Sequence, residues 1–134
     1  MAATETLIRS YYAAFNAGDV EGMLALLSED VAHDINQGAR ETGIPAFRAF
    51  MARMNAHYRE ELKDMVVMVG EGGARAAAEF TVHGTYLATD AGLPEARGQT
   101  YVLPAGAFFE VRGEKIARVS NHYNLADWIA QVGG

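Results

Sequence analysis

Apolar positions in the first half of the chain recur with a helical period. Leu7, Ile8, Tyr11, Ala14 and Phe15 form one stripe between Thr4 and Ala17, and Gly18 stands where a left-handed residue closes a helix. Asp19 is placed to cap a second helix, with Val20, Met23, Leu24 and Leu27 on its buried side before Ser28-Glu29-Asp30 ends it. The mixed segment Val31 to Asn36 predicts a strand, and Gln37 to Gly43 a loop. Pro45 then suits the first turn of a third helix. Its apolar face is Phe47, Phe50, Met51, Met54, His57 and Tyr58, and it runs to about Glu61.

After Lys63 the period drops to two. Met65 to Val69 reads as a strand, Glu71-Gly72-Gly73 as a turn, and Ala74 to Ala88 as a strand in which Ala78, Phe80, Val82 and Tyr86 alternate with polar residues. A loop over Thr89 to Pro94 precedes strands at Gln99–Arg112 and Lys115–Tyr123, which Gly113 separates. Leu125 to Val132 reads as a short helix. Helices first and strands afterwards predict an α+β fold: a curved, mainly antiparallel sheet wrapped over three helices and enclosing a pocket. With 134 residues and no linker, the chain reads as a single domain spanning residues 1–134.

Charge and composition narrow the partners. Seventeen acidic residues against eleven basic ones give a net charge of -6, so no basic stripe exists to neutralise phosphates and nucleic acid is not expected as a partner. No apolar run approaches the roughly 20 residues of a membrane span, and the first residues lack a signal-peptide pattern, so the expected address is cytoplasmic. The chain has no cysteine, and His33, His57, His83 and His122 show no metal-ligand spacing. No metal or cofactor is therefore expected. Plausible chemistry falls to a carboxylate and a phenol.

Two runs carry a family resemblance. Tyr11-Tyr12-Ala13-Ala14-Phe15-Asn16-Ala17-Gly18-Asp19, followed by Leu26-Leu27-Ser28-Glu29-Asp30-Val31, resembles the opening of ketosteroid isomerases and SnoaL-like polyketide cyclases. Both belong to the nuclear transport factor 2-like superfamily. The resemblance implies a cone-shaped sheet of the cystatin-like α+β barrel type, a homodimer formed through the sheet, and a small apolar ligand in the cone. It implies proton abstraction on an apolar carbonyl or polycyclic substrate, or the cyclase and hydrolase chemistry of the SnoaL-like relatives. A non-catalytic ligand-binding module is the remaining alternative.

Residue by residue, Tyr11 matches the phenol that donates to an oxyanion. For the base, counting back from Gly43 reaches Asp34, whereas counting forward from Tyr11 reaches Ile35; a one-residue deletion between Asp30 and Asp34 reconciles the counts in favour of Asp34. His33 adjoins it as an assisting group. Gly106 stands where the isomerases carry a protonated Asp, and His122-Tyr123-Asn124 stands where the cyclases carry an acid. On regular strands His33 and Asp34 face opposite ways, as do the pairs Asn121/Tyr123 and His122/Asn124. The expected pocket wall comprises Phe50, Met54, Tyr58, Phe80, Val82, Tyr101 and Phe108, joined by Asn121, His122, Tyr123 and Asn124.

Overall fold

The computed structural model of the chain describes residues 2–133. Helix α1, Ala2–Asn16, buries Thr4, Ile8, Tyr11 and Tyr12 on one side. It ends as the glycine predicts. Gly18 takes φ 73°, its N–H donates to Phe15 O, and Asp19 N–H donates to Ala14 O. Asp19 then caps α2, Val20–Leu24, by accepting from Gly22 N–H at 2.9 Å.

That second helix is shorter than its apolar spacing predicts, because Leu27 opens strand β1, Leu27–Asp34, instead of extending α2. The residue is buried in either arrangement, so its hydrophobicity could not choose between them. The choice is made by pairing with a distant strand: Leu26 O accepts from Ile116 N–H, drawing the chain into the sheet. A short strand β2, Arg40–Thr42, folds back on β1 where a loop was expected.

Helix α3, Ile44–His57, carries Pro45 in its first turn and gives way directly to β3, Tyr58–Val69. The third helix therefore stops before Glu61. Strand β4 spans Arg75–Tyr86, β5 Thr100–Arg112 and β6 Lys115–Tyr123; α4 spans Leu125–Val132. Gly113 and Glu114, both at positive φ, make the tight β5–β6 turn.

The six strands lie in the order β2-β1-β6-β5-β4-β3, antiparallel except for the parallel pair β1–β6. The sheet is curved but not closed, and the helices pack against it; the fold is α+β. Between β3 and β4 the register slips after Lys63, where Asp64 adopts φ 56°. The Asn16 side chain fastens α1 beside this bulge, accepting from Leu62 N–H and donating to Leu62 O. No helix among the described residues is long and apolar enough to cross a membrane.

The core joins Ile8, Tyr12, Phe47, Phe109, Ile116 and Val119. Phe109 is fully buried, with the edges of Tyr11 and Tyr12 at ring-centroid distances of 6.0 and 5.9 Å. Phe109→Ala is expected to lower unfolding free energy by about 3–5 kcal/mol in denaturant titration.

Candidate functional site

Helices α1 and α3 do not fill the concave side of the sheet. They leave a cavity of about 680 Å³, within the range of small-molecule sites and lined mainly by apolar side chains.

One end is formed where α1, α3, β1 and β6 meet. His33 is almost fully buried, stacks on Phe47 at 4.4 Å and meets the edge of Phe50 at 4.6 Å. Its Nε2 lies 3.2 Å from Asn121 Nδ2. With the amide nitrogen turned toward the ring, Nε2 accepts and the imidazole proton sits on Nδ1, which has no partner among the described residues. Burial lowers the His33 pKa to about 4, against a smaller opposing effect of Asp34, so the ring is neutral near pH 7.

Tyr11 and Tyr12 approach from α1, and burial raises the pKa of both phenols. Both therefore remain donors. Among the described residues the Tyr12 hydroxyl is buried without a partner, and Tyr11 makes no side-chain hydrogen bond. Desolvated donors of this kind are costly unless a ligand or water accepts from them.

The other end is aromatic and acidic. Tyr58 and Glu60, alternate residues of β3, line the cavity together with Asp90. Tyr58 stacks on Tyr86 at 5.4 Å and donates to Asp90 Oδ2 at 2.8 Å. Trp128 of α4 closes this cluster, with centroids 4.9 Å from Tyr86 and 5.9 Å from both Tyr58 and Tyr101.

The Glu60 carboxyl has one hydrogen-bond partner among the described residues, the Tyr101 hydroxyl, which donates to Oε2. Burial raises its pKa, and the Tyr101 bond only partly offsets the effect. Glu60 pairs across β3–β4 with Gly84, and Phe80 lies four residues from Gly84, about 13 Å at the usual rise per residue. Tyr12 packs on Phe80 at 5.2 Å. The acid and the α1 phenols thus occupy different ends of one cavity.

Phe50, Met54, Tyr58, Phe80 and Val82 line the cavity, as do Asn121 and Tyr123. Tyr101 stands behind the wall and reaches it only through Glu60.

Strand parity turns Phe108 away from the cavity and leaves His122 only at its edge, while Asn124 lies beyond β6. Phe108 is 52% exposed, because its neighbours Ala107 and Phe109 take the inner face. His122 touches the cavity edge, but its ring turns to the outer face, meeting Phe108 at 5.4 Å and Ser120 Oγ at 3.0 Å. Asn124 is exposed and caps α4, accepting from Asp127 N–H.

The largest correction concerns Asp34. His33 turns inward, so Asp34 turns outward, and Ile35 rather than Asp34 reaches the cavity wall. Arg40 grips the Asp34 carboxylate with Nε at 2.5 Å and a terminal nitrogen at 3.0 Å, while Arg118 Nε binds Oδ2 at 3.0 Å. The hydrogen bonds of Arg40, then those of Arg118, hold its pKa at about 2. Such a carboxylate is a poor proton acceptor near neutrality.

Glu60, Tyr12 and Asp90 were not anticipated as site residues. A helix continued through Glu60 hid it, and the available signal was Tyr58-x-Glu60-x-Leu62, an alternation with a charged residue at an inward position. No group of three or more His, Asp or Glu among the described residues is placed to hold a metal ion.

A curved sheet around helices with a lined cavity defines a nuclear transport factor 2-like protein. The family model described as a SnoaL-like domain matches residues 8–119, and the chain belongs to that family. A Pseudomonas putida structure with the provisional name of polyketide cyclase is 67% identical, covers 98% of each chain and has a TM-score of 0.94. One from Xanthomonas campestris, under the same provisional name, is 58% identical at TM-score 0.95, covering 97% of this chain and 96% of that one. A nuclear transport factor 2-like protein from Burkholderia pseudomallei, 19% identical over 100% of both chains at TM-score 0.77, shares the fold. No match was found among curated proteins.

The buried imidazole has a measurable consequence. Between about pH 6.5 and 4 the unfolded chain binds a proton that folded His33 refuses, so stability falls as pH is lowered through that window. The contribution reaches about 3 kcal/mol at most. In pH-resolved denaturant unfolding, His33→Gln is expected to flatten this decline.

Proposed function

We propose that the cavity binds a small, largely apolar substrate bearing a carbonyl group, and that Glu60 moves a proton on it. The observation that supports this reading is a carboxyl on an apolar wall whose one described partner is a neutral phenol. Burial raises its proton affinity toward the range in which a group can both take and return a proton. Tyr11 is the proposed donor to a second, distal oxygen of the substrate, at the end of the cavity away from Glu60. It is a neutral phenol without a described partner, free to anchor the far end of the ligand.

In the first step the Glu60 carboxylate takes a proton from the carbon beside the carbonyl, and the C–H electron pair moves into an enolate. The provisional names of the two near relatives favour ring closure as the second step: the enolate carbon attacks a second carbonyl of the same molecule, forming one C–C bond. The new alkoxide recovers the proton from Glu60. Nothing is lost or gained, and a ring is closed. Reprotonation at a different carbon would instead give an isomer by the same first step.

We also propose a homodimer through the outer face of the sheet, where Phe108, Ala77 and Met68 align across β5, β4 and β3. Phe108 and Met68 are half exposed there, and the family resemblance supports this arrangement.

Proton–deuterium exchange into a panel of cyclic ketones and diketones, followed by NMR, tests the chemistry. Glu60→Gln is expected to slow exchange at least about 100-fold, whereas Tyr11→Phe is expected to weaken substrate binding with little change in the exchange rate at saturation. Asp34→Asn is expected to stay close to wild type; a large loss in that variant alone would return the role to Asp34. For the dimer, light scattering should show Phe108→Glu as a monomer.

A further inference from the structure

We propose that Gly84 is a positioning residue: the space left by its missing side chain lets the Tyr101 ring lie across β4, so that its hydroxyl binds one oxygen of Glu60 and leaves the other to carry the proton toward the cavity. The proposal rests on the acid–base role of Glu60 and adds what sets that residue's orientation.

Glu60, Gly84 and Tyr101 occupy successive positions across three strands, since Glu60 pairs with Gly84 and Gly84 with Tyr101. All three fall on the inner face, where side chains ordinarily stand up from the sheet side by side. Here the middle position is empty. A Cβ on Gly84 would overlap Tyr101 Cζ and Cε2 and lie 2.5 Å from its hydroxyl. Gly84 has no positive φ that would require glycine for backbone reasons. The glycine therefore answers to the ring and not to a turn.

The ring has little room to adjust. Tyr101 is 2% exposed, and the Trp128 indole meets it edge-on at 5.9 Å. Any side chain at position 84 must push the phenol away from β4 and so away from Glu60. With Oε2 accepting from Tyr101, a proton on the acid belongs on Oε1, which has no hydrogen bond to a described residue. The Tyr101 donor also favours the ionised carboxylate, so removing it raises the proton affinity of Glu60.

Carbon-13 NMR of glutamate carboxyls, with the Glu60 signal assigned by its loss in Glu60→Gln, reads this arrangement in the protein without substrate. Tyr101→Phe is expected to move the Glu60 titration midpoint upward by about one unit, as loss of a charge-assisted hydrogen bond predicts. Gly84→Ala should produce a similar shift although it leaves the Glu60 and Tyr101 side chains themselves unaltered, and adding it to Tyr101→Phe should change the midpoint little further. A folded Gly84→Ala protein with the wild-type midpoint overturns the proposal. If Gly84→Ala does not fold, the Tyr101→Ala/Gly84→Ala pair decides. Folding of the pair supports the proposal, because the ring that the added methyl group would meet is gone; failure of the pair where Tyr101→Ala alone folds overturns it. Because the titration needs no turnover, a protein inert toward ketones leaves this test intact, and loss of exchange without a midpoint shift counts against Gly84 alone.

Discussion

The parallel pairing of β1 with β6 decides which face of the sheet each β1 side chain takes. Once Val119 lies beside His33 and Ser120 beside Asp34, the alternation of a strand sends the imidazole to the cavity and the carboxylate to the outer face. No rotamer of Asp34 can undo this, and Arg40 and Arg118 reinforce it with ion pairs on the far side. The character of the site depends on that one choice. Its β1 wall presents His33 and Ile35, and the proposed acid comes from another strand.

The supply of that acid by β3 depends on a second constraint, the competition between helix and sheet at the end of α3. Tyr58 leaves the helix because it pairs with Tyr86, and the extended backbone then presents Tyr58, Glu60 and Leu62 to the interior in turn. A carboxyl so placed loses water without gaining a basic partner among the described residues, and this loss is what gives it a raised proton affinity. Asp34 shows the converse. Two guanidinium groups lower its proton affinity and remove it from acid–base work near neutrality. Two carboxyls with opposite surroundings thus have opposite chemistry, and the apolar cavity adjoins only one of them.

Much of this architecture was legible in the chain. The α1 stripe, the glycine stop after it, the β4 alternation and the strand β6 came directly from local periodicity, since each depends on residues a few positions apart. Tyr11 was legible for the same reason, its place on the buried stripe directing it inward. The illegible parts were those set at long range. Leu27 fits a helix face and a strand equally, and only Ile116 and its neighbours resolve it. Glu60 broke the rule that charge marks the solvent face, while the ion pair of Asp34 with Arg118 joins residues 84 positions apart. The Gly84–Tyr101 contact left no local signature because its meaning lies across two strands.

Chemistry at Glu60 requires that ligands enter the cavity enclosed by the helices and the sheet, and not settle on the outer face. Methionine methyl groups report on both. Met23, Met51 and Met54 line the cavity, whereas Met68 stands half exposed outside. With carbon-13 methyl labels, titration by a rigid bicyclic ketone is predicted to move the Met51 and Met54 resonances and leave Met68 in place. Movement of Met68 with Met51 and Met54 unchanged would contradict ligand entry into the cavity.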